Sequence, residues 1–331
     1  MTSVRVLHSD ELADLATPAE YVAAVRSGYR QRGEGAPAAP RTLLENADPP
    51  GVLTGYLAVL PETGAMGGYT YAAGFGDRDA HFMLPLFDAE TGAPIALLDG
   101  AGLNPYKTGA AGAVGTNALA RPDATELAII GSGTQARGQL LATATVRNLD
   151  RVAVYSPTPE HRRAFAAEMG EQIEAPIEPV ETAAAAVEGA DIVVTATTAT
   201  EPVFDAETLA PGTHVTAVGQ YHPDRRELDA ETIAQAKYVP DLRDRVDQDA
   251  GSYITAREQG AIGDDHVHAE LGAVVAGEAP GRTGDEITVF DSGGTAIETV
   301  AAGMLLYEKA VAADLGETVE LAPASEAMLG R

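Results

Sequence analysis

Residues 126–138, Glu-Leu-Ala-Ile-Ile-Gly-Ser-Gly-Thr-Gln-Ala-Arg-Gly, constrain the fold more than any other stretch of this chain. A short apolar run from Leu127 ends at Gly131. The spacing Gly131-x-Gly133-x-x-Ala136 then opens a helix-compatible segment that runs to about Asn148. Strand, glycine turn and helix in that order predict a dinucleotide-binding unit. Gly131 permits the tight turn, Gly133 lets backbone approach a pyrophosphate, and the small Ala136 lets the helix pack close to the strand. The N–H groups of the helix start, at Ser132, Thr134 and Gln135, then face the phosphates. An ordinary strand-to-helix turn is the plain alternative.

From residue 126 onward the chain alternates. Strands fit at 127–130, 152–155, 192–196, 214–218 and 287–290, with helices between them, for example 159–169 capped by Thr158. This rhythm predicts an α/β fold with a parallel sheet covered on both faces. The earlier half reads differently. Residues 10–33 look helical, with Thr17-Pro18 as a start signal, and 34–50 read as a loop carrying Arg41. Strand-like runs at 52–60, 68–73, 81–87 and 95–98, separated by turn residues, predict a small antiparallel sheet. Residues 105–119 and, after Ser292-Gly293-Gly294, a segment from Thr295 to Ala313 read as helices.

Charge and cysteine content narrow the function classes. Asp plus Glu number 49 against 22 Lys plus Arg, a formal net charge of −27, and the acids are scattered rather than gathered in a tail. Such a surface repels nucleic acid and anionic membranes, and salt screens its self-repulsion. We read it as adaptation to a saline cytoplasm. Zero cysteines exclude disulfides, thiolate metal sites and a cysteine nucleophile. No apolar run approaches the roughly 18 residues of a membrane span, and the charged start lacks a signal core, so a cytoplasmic address is expected. No metal constellation is visible, since His266-Val267-His268 is the only close histidine pair.

The end of the second strand bears on cofactor choice. An acid there would bind the ribose 2′-hydroxyl of NAD. The chain instead has Tyr155-Ser156-Pro157-Thr158, with Arg162 and Arg163 a turn later. Ser156, Thr158 and Arg162 suit a 2′-phosphate, which favours NADP over NAD.

Several motifs stand in a common order: Leu86-Phe87-Asp88-Ala89-Glu90-Thr91-Gly92, Thr108-Gly109-Ala110-Ala111-Gly112-Ala113, the 131–136 turn, Pro211-Gly212-Thr213-His214-Val215, Arg226-Glu227-Leu228-Asp229 and Phe290-Asp291-Ser292-Gly293-Gly294-Thr295-Ala296. Together they resemble the ornithine cyclodeaminase/mu-crystallin family over nearly the whole chain. The resemblance implies a Rossmann-type dinucleotide domain over 120–295. It implies a smaller α+β domain for substrate binding and dimerisation, built from 1–119 with 296–331, and a homodimer. It adds Thr197, Val218 and Gly219 to the cofactor contacts and Gly293 to the substrate contacts. Arg41 and Lys107 match basic positions that hold a substrate carboxylate, although lysine lacks the guanidinium's bidentate fork. Lysine occurs only three times, which makes Lys107 at a motif position noteworthy. A third family lysine falls near Gly68-Tyr69-Thr70, where no lysine stands and Thr70 or Tyr71 takes its place. The cyclodeaminase branch has an aspartate where Tyr221 stands, and a tyrosine of ordinary pKa about 10 is a poor carboxylate substitute at neutral pH. Cyclising deamination of ornithine is therefore disfavoured. The residues suit hydride transfer between a nicotinamide and the Cα of a small amino or imino acid, with Lys107, His222 or Tyr221 handling protons. A cyclodeaminase that recycles its own nicotinamide and a non-catalytic, NADPH-dependent ligand binder remain the rivals.

Overall fold

The structure, a computed structural model, describes residues 1–329. In chain order the first half comprises β1 (Thr2–Leu7), α1 (Ser9–Leu12), α2 (Pro18–Gly33), β2 (Thr42–Ala47), β3 (Pro50–Gly55), β4 (Ala58–Leu60), β5 (Ala65–Gly67), β6 (Thr70–Ala73), β7 (Met83–Asp88), β8 (Pro94–Asp99) and α3 (Asn104–Leu119). There follow β9 (Glu126–Ile130), α4 (Thr134–Thr143), β10 (Arg151–Tyr155), α5 (Pro159–Met169), β11 (Ile177–Pro179), α6 (Ala183–Val187), β12 (Ile192–Thr195) and β13 (His214–Ala217). The rest is α7 (Ala230–Gln235), β14 (Ala236–Pro240), α8 (Val246–Asp249), α9 (Gly251–Glu258), α10 (Leu271–Ala276), β15 (Ile287–Asp291), α11 (Ala296–Ala312), β16 (Glu317–Leu321) and α12 (Ala324–Leu329).

Contacts divide the chain into two units, residues 1–104 with 295 onward, and residues 105–294. α3 groups with the second unit, whereas a boundary at 119 assigns it to the first. Gly330 and Arg331, the end of the expected 296–331 segment, lie outside the described residues.

In the first unit a nine-stranded sheet runs β16-β1-β8-β7-β6-β3-β2, with β5 on β7 and β4 on β5. Its pairs are antiparallel except β1 with β8. α2 begins where Thr17 and Glu20 exchange hydrogen bonds as a capping box, with Pro18 fixing the first turn. α11 starts the same way from Thr295 and Glu298. The two helices pack tightly, since a Cβ on Gly28 would stand 3.2 Å from Ala301 Cβ. Two expectations need correction. Residues 42–47 are a strand rather than loop, paired with β3 from Thr42 opposite Gly55 onward. The sheet is also wider than four strands, because β1 and β16 join from opposite ends of the chain.

The second unit holds a seven-stranded, wholly parallel sheet in the order β11-β10-β9-β12-β13-β15-β14. β9, β12 and β15 are almost entirely buried, as a sheet covered on both faces requires. One face carries Ala128, Ile130, Val193, Val215 and Val289, and the other Leu127, Ile129, Ile192 and Val194 with Phe165 and Met169 from α5. β11 and β14 extend the sheet beyond the five strands expected. Thr158 does precede α5, but its side chain makes no cap hydrogen bond, so the expected capping is absent. No described helix is long and apolar enough to cross a membrane.

Candidate active site

The strand order reverses between β10-β9 and β12-β13, the topological switch point at which open parallel sheets bind ligands. A cleft of about 650 Å³ opens there, at the carboxyl ends of β9, β10 and β12. Gly131, Ser132, Gly133, Ser156, Thr158 and Thr197 line it. A Cβ on Gly131 (φ +120°) would stand 2.9 Å from the Ala196 carbonyl carbon, so only glycine fits the turn. Above Gly133 nothing lies within 4 Å, which leaves room for a pyrophosphate against bare backbone and the α4 N-terminus. No carboxylate lines the cleft, in a chain with 49 of them. These features fit a dinucleotide.

Other expected contacts sit further back. Thr134 and Gln135 open α4 and Ala136 is fully buried, so all three shape the helix start rather than the cleft wall. Arg162 also stands outside the wall. Its Nη1 donates to the Ser156 carbonyl at 2.8 Å, and its guanidinium lies 5.8 Å from the Tyr155 ring centroid. Val218 is buried beneath the loop after β13. Sequence reasoning missed Arg137 and His161, which line the cleft. Arg137 donates to the Ser132 carbonyl at 2.5 Å and pairs with Glu168 at 2.6 Å, bracing the phosphate turn.

Lys107 occupies the first turn of α3 and is 2% exposed. A glycine seam positions this helix. Ideal Cβ atoms at Gly109 and Gly138 would stand 2.5 Å from the Gly138 carbonyl carbon and 2.8 Å from the Pro105 carbonyl carbon. Gln139, buried beside the seam, donates from Nε2 to the Thr108 carbonyl at 2.8 Å. Backbone contact between α3 and α4 therefore sets Lys107 relative to the phosphate turn.

Tyr221 and His222 lie on the excursion from Gly219 to Glu227. Tyr221 is 50% exposed. His222 Nδ1 accepts from the Asp224 N–H at 3.1 Å, which places the proton of the neutral ring on Nε2. Asp224 and His222 approach to 3.9 Å as an exposed pair. Glu227, missed as an individual site residue, is 2% exposed and accepts from Thr195, Thr197 and Gly219. Glu227 stands in the Arg226-Glu227-Leu228-Asp229 motif, but nothing local to that motif marks the three donors it accepts from.

Gly293 packs flat against a buried guanidinium, since a Cβ there would stand 2.7 Å from Arg245 Cζ. Arg245 is ion-paired with Asp241, Asp249 and Asp291, and Asp241 Oδ2 accepts from the Gly294 N–H at 3.0 Å. The turn 292–294 is thereby fixed by charge. Among the described residues no group of three His, Asp or Glu side chains is placed to hold a metal ion. His266 and His268 instead bond the carbonyls of Ile233 and Pro280 at 2.7 and 2.8 Å.

In the first unit Arg41 is half-buried, its Cζ 5.2 Å from the Tyr56 ring centroid. Burial pushes the Tyr56 phenol up, and the Arg41 charge opposes that shift. Thr70, half-buried on β6, shares a recess of about 290 Å³ with Tyr56, Pro40 and Thr42. Tyr56 thus neighbours Arg41 and lines the recess that holds Thr70.

Three proteins show what this chain is similar to. A Delta(1)-pyrroline-2-carboxylate reductase of Bacillus cereus is 39% identical over 247 residues, 74% of this chain and 76% of that one. The Delta(1)-pyrroline-2-carboxylate reductase of Thermococcus litoralis, solved with NADH and L-proline, superposes with a TM-score of 0.90 at 35% identity, covering 96% of this chain and 100% of that one. An archaeal alanine dehydrogenase dimer with bound NAD gives 0.88 at 31% identity, covering 97% and 100%. The family model for ornithine cyclodeaminase/mu-crystallin proteins matches residues 11–314, and the chain belongs to that family.

Proposed function

We propose that this chain transfers hydride between a nicotinamide dinucleotide and the Cα of a small amino or imino acid, with cyclic imino acids such as pyrroline-2-carboxylate as the leading substrate class. The chain is an NAD(P)-dependent oxidoreductase of the imine reductase and amino-acid dehydrogenase kind. Against ammonia expulsion stands one observation: the residue at 221 is a half-exposed tyrosine, and Asp224, three residues on, is an exposed carboxylate beside His222.

The nicotinamide supplies or accepts the hydride when bound. Gly131, Ser132, Gly133 and the α4 N-terminus hold its pyrophosphate, while Ser156 and Thr158 on a wall without carboxylates, with Arg162 behind them, favour the 2′-phosphate of NADP. We assign Arg41 and Lys107 to the substrate carboxylate, and Thr70 and Gly293 to substrate contact, as the family resemblance implies. Carboxylate binding orients Cα, and orientation with electrostatic preorganisation accounts for most of the rate. Lys107, or His222 in its protonated imidazolium form, delivers the proton that the substrate nitrogen takes up in the reductive direction; Tyr221 is the third candidate. The 1–119 and 296–331 segments serve substrate binding and dimerisation, 120–295 binds the dinucleotide, and the protein works as a cytoplasmic homodimer.

The test is consumption of NADPH or NADH, followed by nicotinamide absorbance in molar KCl, with pyrroline-2-carboxylate and with 2-oxo acids plus ammonia. Stoichiometric oxidation is expected. Proline formed from ornithine without net cofactor turnover would replace this reading with the lyase, and tight ligand binding without any turnover would replace it with the binding protein.

A further inference from the structure

We propose that Glu227 is the positioning residue for the nicotinamide end of the dinucleotide cleft, a role that rests on the cofactor reading above. Adenosine ribose at the end of β10 and pyrophosphate at Gly131–Gly133 leave the rest of the cofactor to cross the carboxyl ends of β12 and β13. Glu227 ties those two ends together. Its Oε1 accepts from the Thr197 N–H at 2.7 Å, and its Oε2 from the Gly219 N–H at 2.7 Å and Thr195 Oγ1 at 3.0 Å.

The loops it joins are in backbone contact. A Cβ on Gly219 would stand 2.5 Å from Thr197 N, and Gln220 Nε2 donates to the Thr197 carbonyl at 3.0 Å. The bond from Gly219 to Glu227 also closes the excursion that carries Tyr221 and His222. Gly251, opening α9, supports that excursion from beneath, since a Cβ there would stand 2.6 Å from the His222 carbonyl oxygen. Burial pushes the Glu227 carboxyl up, and hydrogen bonds from Thr197, Gly219 and Thr195 pull it back toward the charged form. A carboxylate is the group this geometry needs. Glutamine has the same shape, but either amide orientation sets an NH₂ against a backbone N–H, at Thr197 or at Gly219.

The experiment is calorimetric titration of the full chain and of Glu227→Gln with NADPH and with 2′-phosphorylated ADP-ribose (hereafter ADP-ribose), which differs from it by lacking the nicotinamide. NADPH affinity should fall about tenfold or more, as expected for loss of a charge-assisted hydrogen bond. ADP-ribose affinity should stay within about twofold, because its contacts are distant. Unchanged NADPH affinity overturns the proposal, and so does an equal loss for both ligands, which would mean general loosening of the unit. A wild-type chain that binds neither ligand refutes the cofactor reading instead. If Glu227→Gln does not fold, Thr195→Val removes one donor and should weaken NADPH selectively by a smaller factor; no selective loss overturns the proposal.

Discussion

The seam between α3 and α4 offers the sharpest test of how the fold positions its chemistry. Gly109→Ala adds one methyl group whose carbon would stand 2.5 Å from the Gly138 carbonyl carbon and 3.2 Å from Gln139 N. Carbon atoms prefer separations of about 3.5–4.0 Å, so α3 must retreat by about 1 Å. The neighbour is backbone and cannot rotate away. Overpacking of this kind costs about 1–3 kcal/mol, against which alanine returns about 1 kcal/mol of helix propensity. Stability should fall modestly. Activity should fall further, because Lys107 lies two residues earlier on the same turn and moves with the helix. A displacement of about 1 Å in a positioning group is worth about 100-fold in rate. Thermal melting and steady-state turnover of pyrroline-2-carboxylate with NADPH, measured on the same preparation, separate the two effects. A variant that melts at or above the wild-type temperature and turns over within about twofold would refute the coupling of seam to site.

Arg41→Ala should raise KM for the substrate far more than it lowers kcat; unchanged kinetics would remove Arg41 from the site. Ser156→Asp sets a carboxylate where the 2′-phosphate is expected, a like-charge contact of several kcal/mol, so NADPH should lose on the order of 100-fold in KM while NADH does not; equal effects on both cofactors would refute the 2′-phosphate assignment. His214 predicts an acid sensitivity. Buried between Thr288 and Thr216, its imidazole is pushed from 6.5 down to about 3. Below about pH 6.5 the unfolded chain therefore binds a proton that the folded chain refuses. Stability should drop by about 1.4 kcal/mol for each unit the pH is lowered, or about 2 kcal/mol by pH 5. His214→Asn should show that much less dependence in denaturant titrations over the same range.

Legibility in the sequence follows locality. β9 and its turn announce themselves because an apolar run, two glycines and a small residue all fall within 11 positions of 126–136. β2 does not, because Thr42–Ala47 is exposed throughout and has no apolar alternation to read. β14 follows α7 without a breaker, and its Lys237 hides among apolar neighbours by reaching the Gly281 carbonyl and Glu286. β1 and β16 pair from opposite ends of the chain, Thr2 with Leu321, which no local pattern records. The site divides the same way. The phosphate turn is readable residue by residue, whereas Glu227 takes its three donors from positions 8, 30 and 32 residues away, two of them backbone groups that carry no sequence identity.

The carboxylate-free cleft has a kinetic consequence. A chain of net charge −27 surrounds that opening with a field that opposes the arrival of a polyanionic cofactor. Added salt shortens the reach of this field to about 3 Å at molar strength and leaves the enclosed contacts largely unscreened. Capture of the dinucleotide should therefore quicken as ionic strength rises, the reverse of ordinary steering. In dilute solution the surface of such an enzyme would slow the arrival of its own cofactor.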